Sequence, residues 1–401
     1  MLGVNLTPSN NMFPPPTYPS LVLAVFTHIA APAAFSAAPE NSSTKAFDEV
    51  WSLAELYANP NNPVVQKVAI TGRLQFDYVV IEGSGDPAAG VTEKDLDYDF
   101  GGLRRFRAGI KANLFHDFTL QIETDLDPNE DPVYRRLTDA NLVWRRSDAL
   151  RVKLGKQDIG FTLDGTTSSR ELLTIDRNNL TNNLTFTTRY LPGLSVAGTV
   201  DGWTYLAGVF SQGRSDGEFG DFDAGTSWLA SLGRDLSSLT SGGKADLRLD
   251  YVFNEENPPE DLFTNRALGH IVSLNGRYEK DSFGLRGDLT AGDGFLGQPD
   301  LWGFVLMPYY NFSPKLQGVL RYTYVHSEGA DGVRFTRYEA RALNERRGDE
   351  YQEAYAGLNY YIYGHKLKLQ TGVQYAAMRD RADNGGAFDG WSWTSGIRLS
   401  W

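Results

Sequence analysis

The sequence predicts an all-β protein, a 16-stranded antiparallel transmembrane β-barrel with a short N-terminal periplasmic helix. Three observations predict it. From residue 64 onward, apolar and polar residues alternate with a period of two in runs of about ten, the length of a tilted strand crossing a bilayer. Between these runs, tight connections and long acidic or Gly-rich segments alternate strictly, as in an up-and-down outer-membrane barrel with turns inside and loops outside. Aromatic residues crowd the strand ends, among them Tyr309, Tyr310, Tyr360, Tyr361, Tyr363, Trp391, Trp393 and Trp401, where amphipathic rings sit at lipid headgroups.

The first 38 residues carry no charged side chain. An apolar stretch at 21–34 is followed by Ser36, Ala37 and Ala38, the shape of a secretory signal peptide over 1–38, with cleavage after Ser36 or Ala38. A basic segment before the apolar stretch is missing. Residues 39–65 are expected to form a periplasmic helical segment: Phe47, Val50, Trp51 and Ala54 lie at helical spacing within 45–58, Ser43 or Thr44 can cap it, and Pro60 and Pro63 stop it. Nothing later reaches the apolar run of about 18 residues that a membrane helix needs.

The barrel is expected to occupy 66–401. Alternation is clearest at the end, where Trp391, Trp393, Ile397, Leu399 and Trp401 oppose Ser392, Thr394, Gly396, Arg398 and Ser400. It recurs in Leu367, Leu369, Val373 and Tyr375, in Phe106, Ala108, Ile110 and Ala112, and in Val68, Ile70, Leu74 and Phe76. Tight turns are expected at 115–117, 146–148, 200–202, 239–242, 280–281, 311–314 and 363–365, and long loops at 82–101, 128–135, 158–190, 213–225, 255–267, 293–300, 327–349 and 379–388. Sixteen strands give 21 residues per strand and connection. The count is even, as such barrels require, and the size is one that leaves an aqueous channel. A soluble β-sandwich is the competing architecture.

Composition narrows the chemistry. The absence of cysteine excludes disulfides, thiolate metal sites and a cysteine nucleophile. A net charge of -12 argues against nucleic acid as a partner. If the apolar faces meet lipid, the other faces line water, and alternation then points 13 basic residues inward: Arg73, Arg105, Arg107, Lys111, Arg151, Lys153, Arg248, Arg277, Arg286, Arg321, Lys366, Lys368 and Arg398. Nine acids face the same way: Asp77, Glu123, Asp125, Asp139, Asp246, Asp250, Glu279, Asp288 and Glu353. An excess of positive charge on a pore wall favours anions. The longest loop, 158–190, is the candidate constriction; it carries Asp158, Thr167, Ser168, Ser169, Arg170 and Arg177 and is too polar to face lipid.

Four separated segments, GKQDIGFTLDGTTSSRELLTIDRNNL, LRRFRAGIKANLF, GWTYLAGVF and NERRGDEYQEAYAGLNYYIYGHKLKLQ, resemble the phosphate-selective porin O and P family over essentially all of 45–401. The resemblance implies a homotrimer of 16-stranded barrels in the bacterial outer membrane, surrounded by lipid and lipopolysaccharide. Each barrel would have its own pore, an arginine ladder and a constriction loop with a Thr-Ser-Ser element. On that basis Arg104, Arg105 and Arg107 look like the arginine-rich strand start, Thr167, Ser168 and Ser169 like the hydroxyl element, and Arg170 like the basic residue after it. One departure is Asp158, where phosphate-selective members would carry a constriction lysine.

No HExxH, P-loop, dinucleotide fingerprint or nucleophile elbow occurs, and no cofactor, metal or enzymatic activity is expected. His270 and Ser273 fall on opposite faces of one strand, and His270 reads as an interfacial ring. Glu93, Asp95, Asp97 and Asp99, or Asp293 with Asp300, could hold calcium but read as solvated loop carboxylates. The expectation is therefore a passive porin for small anions, with phosphate or polyphosphate as leading solute. A general or sugar porin without anion preference, or a structural barrel, is the alternative.

Overall fold

In the computed structural model, described for residues 42–85, 94–184, 190–212, 218–219, 225–255 and 266–401, the alternating runs become sixteen antiparallel strands. They are β1 (Val65–Gly85), β2 (Lys94–Leu114), β3 (Phe118–Leu126), β4 (Tyr134–Ser147), β5 (Leu150–Asp158), β6 (Tyr190–Val200), β7 (Trp203–Ser211) and β8 (Thr226–Asp235). The second half comprises β9 (Lys244–Asn254), β10 (Leu268–Lys280), β11 (Phe283–Gly294), β12 (Leu301–Asn311), β13 (Leu316–Ser327), β14 (Glu350–Tyr363), β15 (Leu367–Arg379) and β16 (Phe388–Ser400). Each strand pairs with its sequence neighbours, and β16 pairs with β1 from Phe388↔Gly85 to Ser400↔Arg73, so the sheet closes without an edge. Within the closed sheet, every backbone donor can be satisfied by the neighbouring strand.

The outer face is apolar. Trp391 is 61% exposed and Trp393 47%, with Leu369, Val373 and Ile397 beside them, so the tryptophans are not buried against a second sheet. The inner face has two zones. Toward the short turns it is polar, as with Arg73, Gln75 and Asp77 on β1 or Lys368 and Gln370 on β15; toward the long loops the same faces turn apolar, with Val79 and Ile81 on β1, Val252 on β9, Ile271 on β10, Val325 on β13 and Met378 on β15. These join one buried cluster with Ile159, Phe161, Leu180 and Leu184 from the loop after β5 and Val333, Phe335, Tyr338 and Leu343 from the loop after β13. The expectation that the inward faces enclose water is thus corrected for the long-loop half of β1 and of most strands from β6 to β16. There two loops fold inward and bury an apolar core.

Three boundaries also differ from expectation. The N-terminal helix α1 is Ser42–Ser52 and does not reach residue 58. Glu55–Ala58 is instead extended and pairs with β1 from Glu55↔Ala69 to Ala58↔Lys67. The reason is geometric: β16 pairs with β1 only from Arg73 onward, which leaves the start of β1 with an open edge that the segment fills. Phe47 and Trp51 of α1 pack on the Tyr363 ring at 5.3 and 5.0 Å, and Trp51 Nε1 donates to the Ser400 carbonyl at 2.7 Å. The expected loop at 82–101 is largely strand: β1 and β2 run 21 residues each, β1 stays paired with β16 as far as Gly85, and β2 runs past the end of β3 to pair with β1 from Lys94. Lys366, assigned to the wall, sits in the turn before β15 with its ammonium 5.0 Å from the Tyr363 ring.

Candidate functional site

The loop after β5 leaves the wall at Asp158 and crosses the lumen, carrying two short helices, α2 (Leu163–Thr166) and α3 (Asn179–Leu184). A loop inside a barrel must find partners for its backbone, and here the charged inner wall supplies them. Asp250 Oδ2 accepts from the Thr162 amide at 3.0 Å and Asp288 Oδ2 from the Leu163 amide at 2.8 Å. Further round the wall, on β13, β15 and β16, the cations donate to carbonyls: Lys368 Nζ to Leu172 at 2.7 Å, Arg321 Nη1 to Asp176 at 2.9 Å and Arg398 Nη2 to Ile175 at 3.2 Å. Arg321 also pairs with Glu353 at 2.6 Å, and Arg398 with Asp77. Arg321, expected on the pore wall, is therefore corrected to an anchor for the loop, buried at 4% exposure. Lys368 and Arg398 share that role.

With one side of the lumen filled, open space remains against β2 to β5. It forms a cavity of about 540 Å³ that brings together Arg73, Arg105, Arg107, Asp158, Ser168, Ser169 and Arg177 of the expected set. The same cavity gathers Arg104, Arg135, Arg136, Arg337 and Arg341, so nine arginines face five aspartates. Arg104 arrives there by a β-bulge: Gln75 pairs with Arg105 but Phe76 with Leu103, so Arg104 is the extra residue. A bulge re-aims a side chain, and here it adds Arg104 to the face that carries Arg105 and Arg107.

Two arrangements organise these charges. Glu123, fully buried, lies 3.0 Å from Arg73, 3.4 Å from Arg107 and 3.6 Å from Arg170. Arg73 Nη1 also donates to the Ser169 hydroxyl at 2.6 Å, and Arg107 Nη1 to the Tyr190 hydroxyl at 2.7 Å. Higher in the lumen Arg104 pairs with Asp176 at 3.0 Å. Burial raises the Asp176 carboxyl, but Arg104, Arg105 and Arg337 outweigh it and hold it well below the usual carboxylate range. Arg105 donates to Gln75 Oε1 at 2.8 Å and has no carboxylate partner among the described residues.

The other expected residues are dispersed. Thr167 is buried, its hydroxyl bonded to the Leu163 carbonyl at 2.8 Å, so of the Thr-Ser-Ser element only Ser168 and Ser169 line the cavity. Arg170 pairs with Glu123 just outside it; burial first and Arg73 second push its guanidinium down. Arg177 clamps the loop on itself, donating to the Asp164 and Thr167 carbonyls at 2.8 Å each. Arg151 and Arg248 line a separate space of about 670 Å³ toward the short turns, where Arg248 pairs with Asp250 at 2.7 Å. Arg286 lies 5.6 Å from the Tyr309 ring. Lys111 and Lys153 stand on β2 and β5 outside both spaces.

The remaining candidates resolve as structural. His270 Nδ1 shares a 2.7 Å hydrogen bond with the Tyr251 hydroxyl on the outer face, whereas Ser273 is buried inside against Asp288. Asp293 and Asp300 accept backbone amides from His270 and Gly294 at 2.9 and 2.8 Å. Glu93 and the side chain of Asp95 lie outside the described residues, and Asp97 and Asp99 belong to β2.

A closed barrel with an apolar exterior, narrowed inside by an infolded loop against a charged wall, defines an outer-membrane porin. Its place is the bacterial outer membrane, and its fold is that of a channel rather than an enzyme. The chain belongs to the phosphate-selective porin O and P family, whose sequence profile matches residues 68–282. Similar solved structures include the anion-selective porin from Comamonas acidovorans, 12% identical, covering 83% of this chain and 99% of that one with a TM-score of 0.56. The outer-membrane channel DcaP of Acinetobacter baumannii is 15% identical, covering 86% and 100%, with a TM-score of 0.55. OmpT of Vibrio cholerae in its trimer form is 13% identical, covering 83% and 99%, with a TM-score of 0.51. At these identities the likeness is one of fold. No curated protein matches the sequence.

Proposed function

We propose that this porin passes small anions by passive diffusion, with phosphate or polyphosphate the leading solute. The observation that carries the reading is the excess of arginine over aspartate around the cavity between β2–β5 and the loop after β5. Arg105 matters most there. Unlike Arg73, Arg104 and Arg107, it has no carboxylate among the described residues to neutralise it. Guanidinium groups offer charge-assisted hydrogen bonds in place of an oxyanion's hydration shell. The paired carboxylates Glu123, Asp125 and Asp176 keep any one station from holding an anion too tightly to release.

A second reading, a general or sugar porin without anion selectivity, draws on the same pairings and on Asp158, an acidic residue at the cavity where the resemblance implies a lysine in phosphate-selective members. The family and the trimer form of OmpT support a homotrimer. Lipid and lipopolysaccharide would meet the apolar outer face, and residues 1–38 would be the export signal. The long loops would lie outside the cell and the short turns in the periplasm, and α1 would then be periplasmic. Planar-bilayer reversal potentials in a potassium chloride gradient, repeated with phosphate, test the proposal. A cation-ward or zero selectivity in chloride refutes the anion reading, and equal permeability of chloride and phosphate refutes the solute.

A further inference from the structure

The loop between β13 and β14 is the second element folded into the lumen, and its helix α4 (Arg337–Ala342) is seated with care. Phe335, Tyr338 and Leu343 are buried in the inner apolar cluster. The Tyr338 hydroxyl donates to Asp77 Oδ2 on β1 at 2.7 Å, and its ring lies 5.6 Å from that of Phe100 on β2. Glu339 is buried at 2% exposure, accepting from the Tyr351 hydroxyl at 3.0 Å and from Gln374 Nε2 at 2.8 Å. The helix is thus fixed to β1, by a contact 261 residues apart in sequence, and to the consecutive strands β14 and β15.

What this seating presents to the pore is charge. Arg337 and Arg341 line the same cavity as Arg104 and Arg105. Arg337 Nε is buried with no hydrogen-bond partner, and neither arginine has a carboxylate within ion-pair distance among the described residues. Arg341 rests over the Phe100 ring at 5.3 Å. Arg104 first and burial second push the Arg337 guanidinium down to about 10, the mark of like charges held together. Such a grouping costs stability and is relieved when an anion arrives between them.

We propose that α4 is a second selectivity element: a helix docked inside the barrel that adds Arg337 and Arg341 to the wall arginines Arg104 and Arg105, so that a loop sets the preference for doubly charged oxyanions over monovalent anions. The inference rests on the reading of the pore as anion-conducting. It also places part of the selectivity outside residues 68–282, the span matched by the family profile. Preference by valence follows from Coulomb's law, because each added fixed charge acts on a dianion with twice the energy it has for chloride.

The test uses the full-length protein in planar bilayers, with reversal potentials in gradients of potassium chloride and of potassium sulfate. Arg337→Ala/Arg341→Ala is expected to lower the sulfate-to-chloride permeability ratio about 5-fold or more, and Arg337→Lys/Arg341→Lys to restore most of it. Heat-modified gel mobility confirms that each variant forms the barrel. Arg341→Ala alone, an exposed side chain resting over the Phe100 ring, serves if the double variant does not fold and is expected to move the ratio in the same direction. A wild-type pore that prefers anions and an alanine variant with an unchanged ratio overturn the role of α4 while leaving the anion reading intact. A loss that lysine does not restore overturns the role of charge. A wild-type pore without anion preference removes the underlying reading itself.

Discussion

Arg105 and Arg107 stand on the same inward face of β2, yet replacing each with alanine should give different results. Arg105 makes one hydrogen bond, to Gln75, and opposes no carboxylate among the described residues. Arg105→Ala therefore removes one uncompensated charge and leaves the scaffold in place. A unit charge at about 4 Å from a permeating anion is worth about 1 kcal/mol in water and about 4 kcal/mol at an effective dielectric constant of ~20. The cavity is lined by charged and polar side chains, so about 1–2 kcal/mol applies, a factor of about 5–30 in anion occupancy. Arg107 is spent differently: it lies 3.1 Å from Asp125 and 3.4 Å from Glu123 and donates to Tyr190. Arg107→Ala leaves buried carboxylate charge behind, and breaking such a pair costs about 3–5 kcal/mol. The assay pairs reversal potential with the temperature at which heat-modified mobility is lost. Arg105→Ala is expected to lower anion selectivity at unchanged transition temperature, and Arg107→Ala to lower both. Equal transition temperatures in the two variants, or an unaltered reversal potential in Arg105→Ala, refute the reasoning.

Asp158→Lys changes the charge at the cavity by two units, and at about 1 kcal/mol per charge it should raise phosphate occupancy on the order of 30-fold, read as block of chloride current by added phosphate. Asp250→Ala/Asp288→Ala removes the acceptors for the Thr162 and Leu163 amides, and should loosen the infolded loop, seen as noisier single-channel current and faster proteolysis within 159–184. Burial pushes Glu339 up to about 7, with Glu353 adding to it, against hydrogen bonds from Thr336, Tyr351 and Gln374 that lower it. Because this carboxyl is raised when docked, the seat of α4 is firm below the ordinary carboxylate pKa and weakens as pH rises through about 7. The sulfate-to-chloride ratio should accordingly fall between about pH 5 and about pH 9, and a flat profile in wild type refutes this. Glu339→Gln should keep the ratio constant across that range.

Strand number, order and most connections were legible because one face of each strand meets hydrocarbon, and a period of two records that directly. Strict alternation failed where both faces are apolar. On β1, Val79 and Ile81 point inward while Val80 points to the bilayer, and a strand dry on both sides carries no alternating signal. The signal for the infolded loops was composition: Ile159, Phe161 and Leu163 after β5, and Val333, Phe335, Tyr338 and Leu343 after β13, are too apolar for loops bathed in water. Alternation assigned Lys366 to the wall although it lies in a turn, missed Arg104, which a bulge brings to the cavity, and gave no sign of how the wall cations are used. Arg321, Lys368 and Arg398 hold loop carbonyls, whereas Arg105 keeps its charge for the pore, and that division depends on a loop crossing the lumen more than 100 residues away in sequence. The arginines of α4 carried no motif at all.

The closing seam has its own consequence. Trp401 exchanges both backbone hydrogen bonds with Gly72 at 3.1 Å, and the Trp401 ring occupies the space a side chain at 72 would need. The cylinder is latched by contacts between its earliest and latest strands, so a growing chain cannot complete it stepwise from one end. Until β16 has been delivered, β1 offers a long bare ribbon to any neighbour. Export and insertion must therefore shelter that ribbon for the whole time the rest of the polypeptide is arriving.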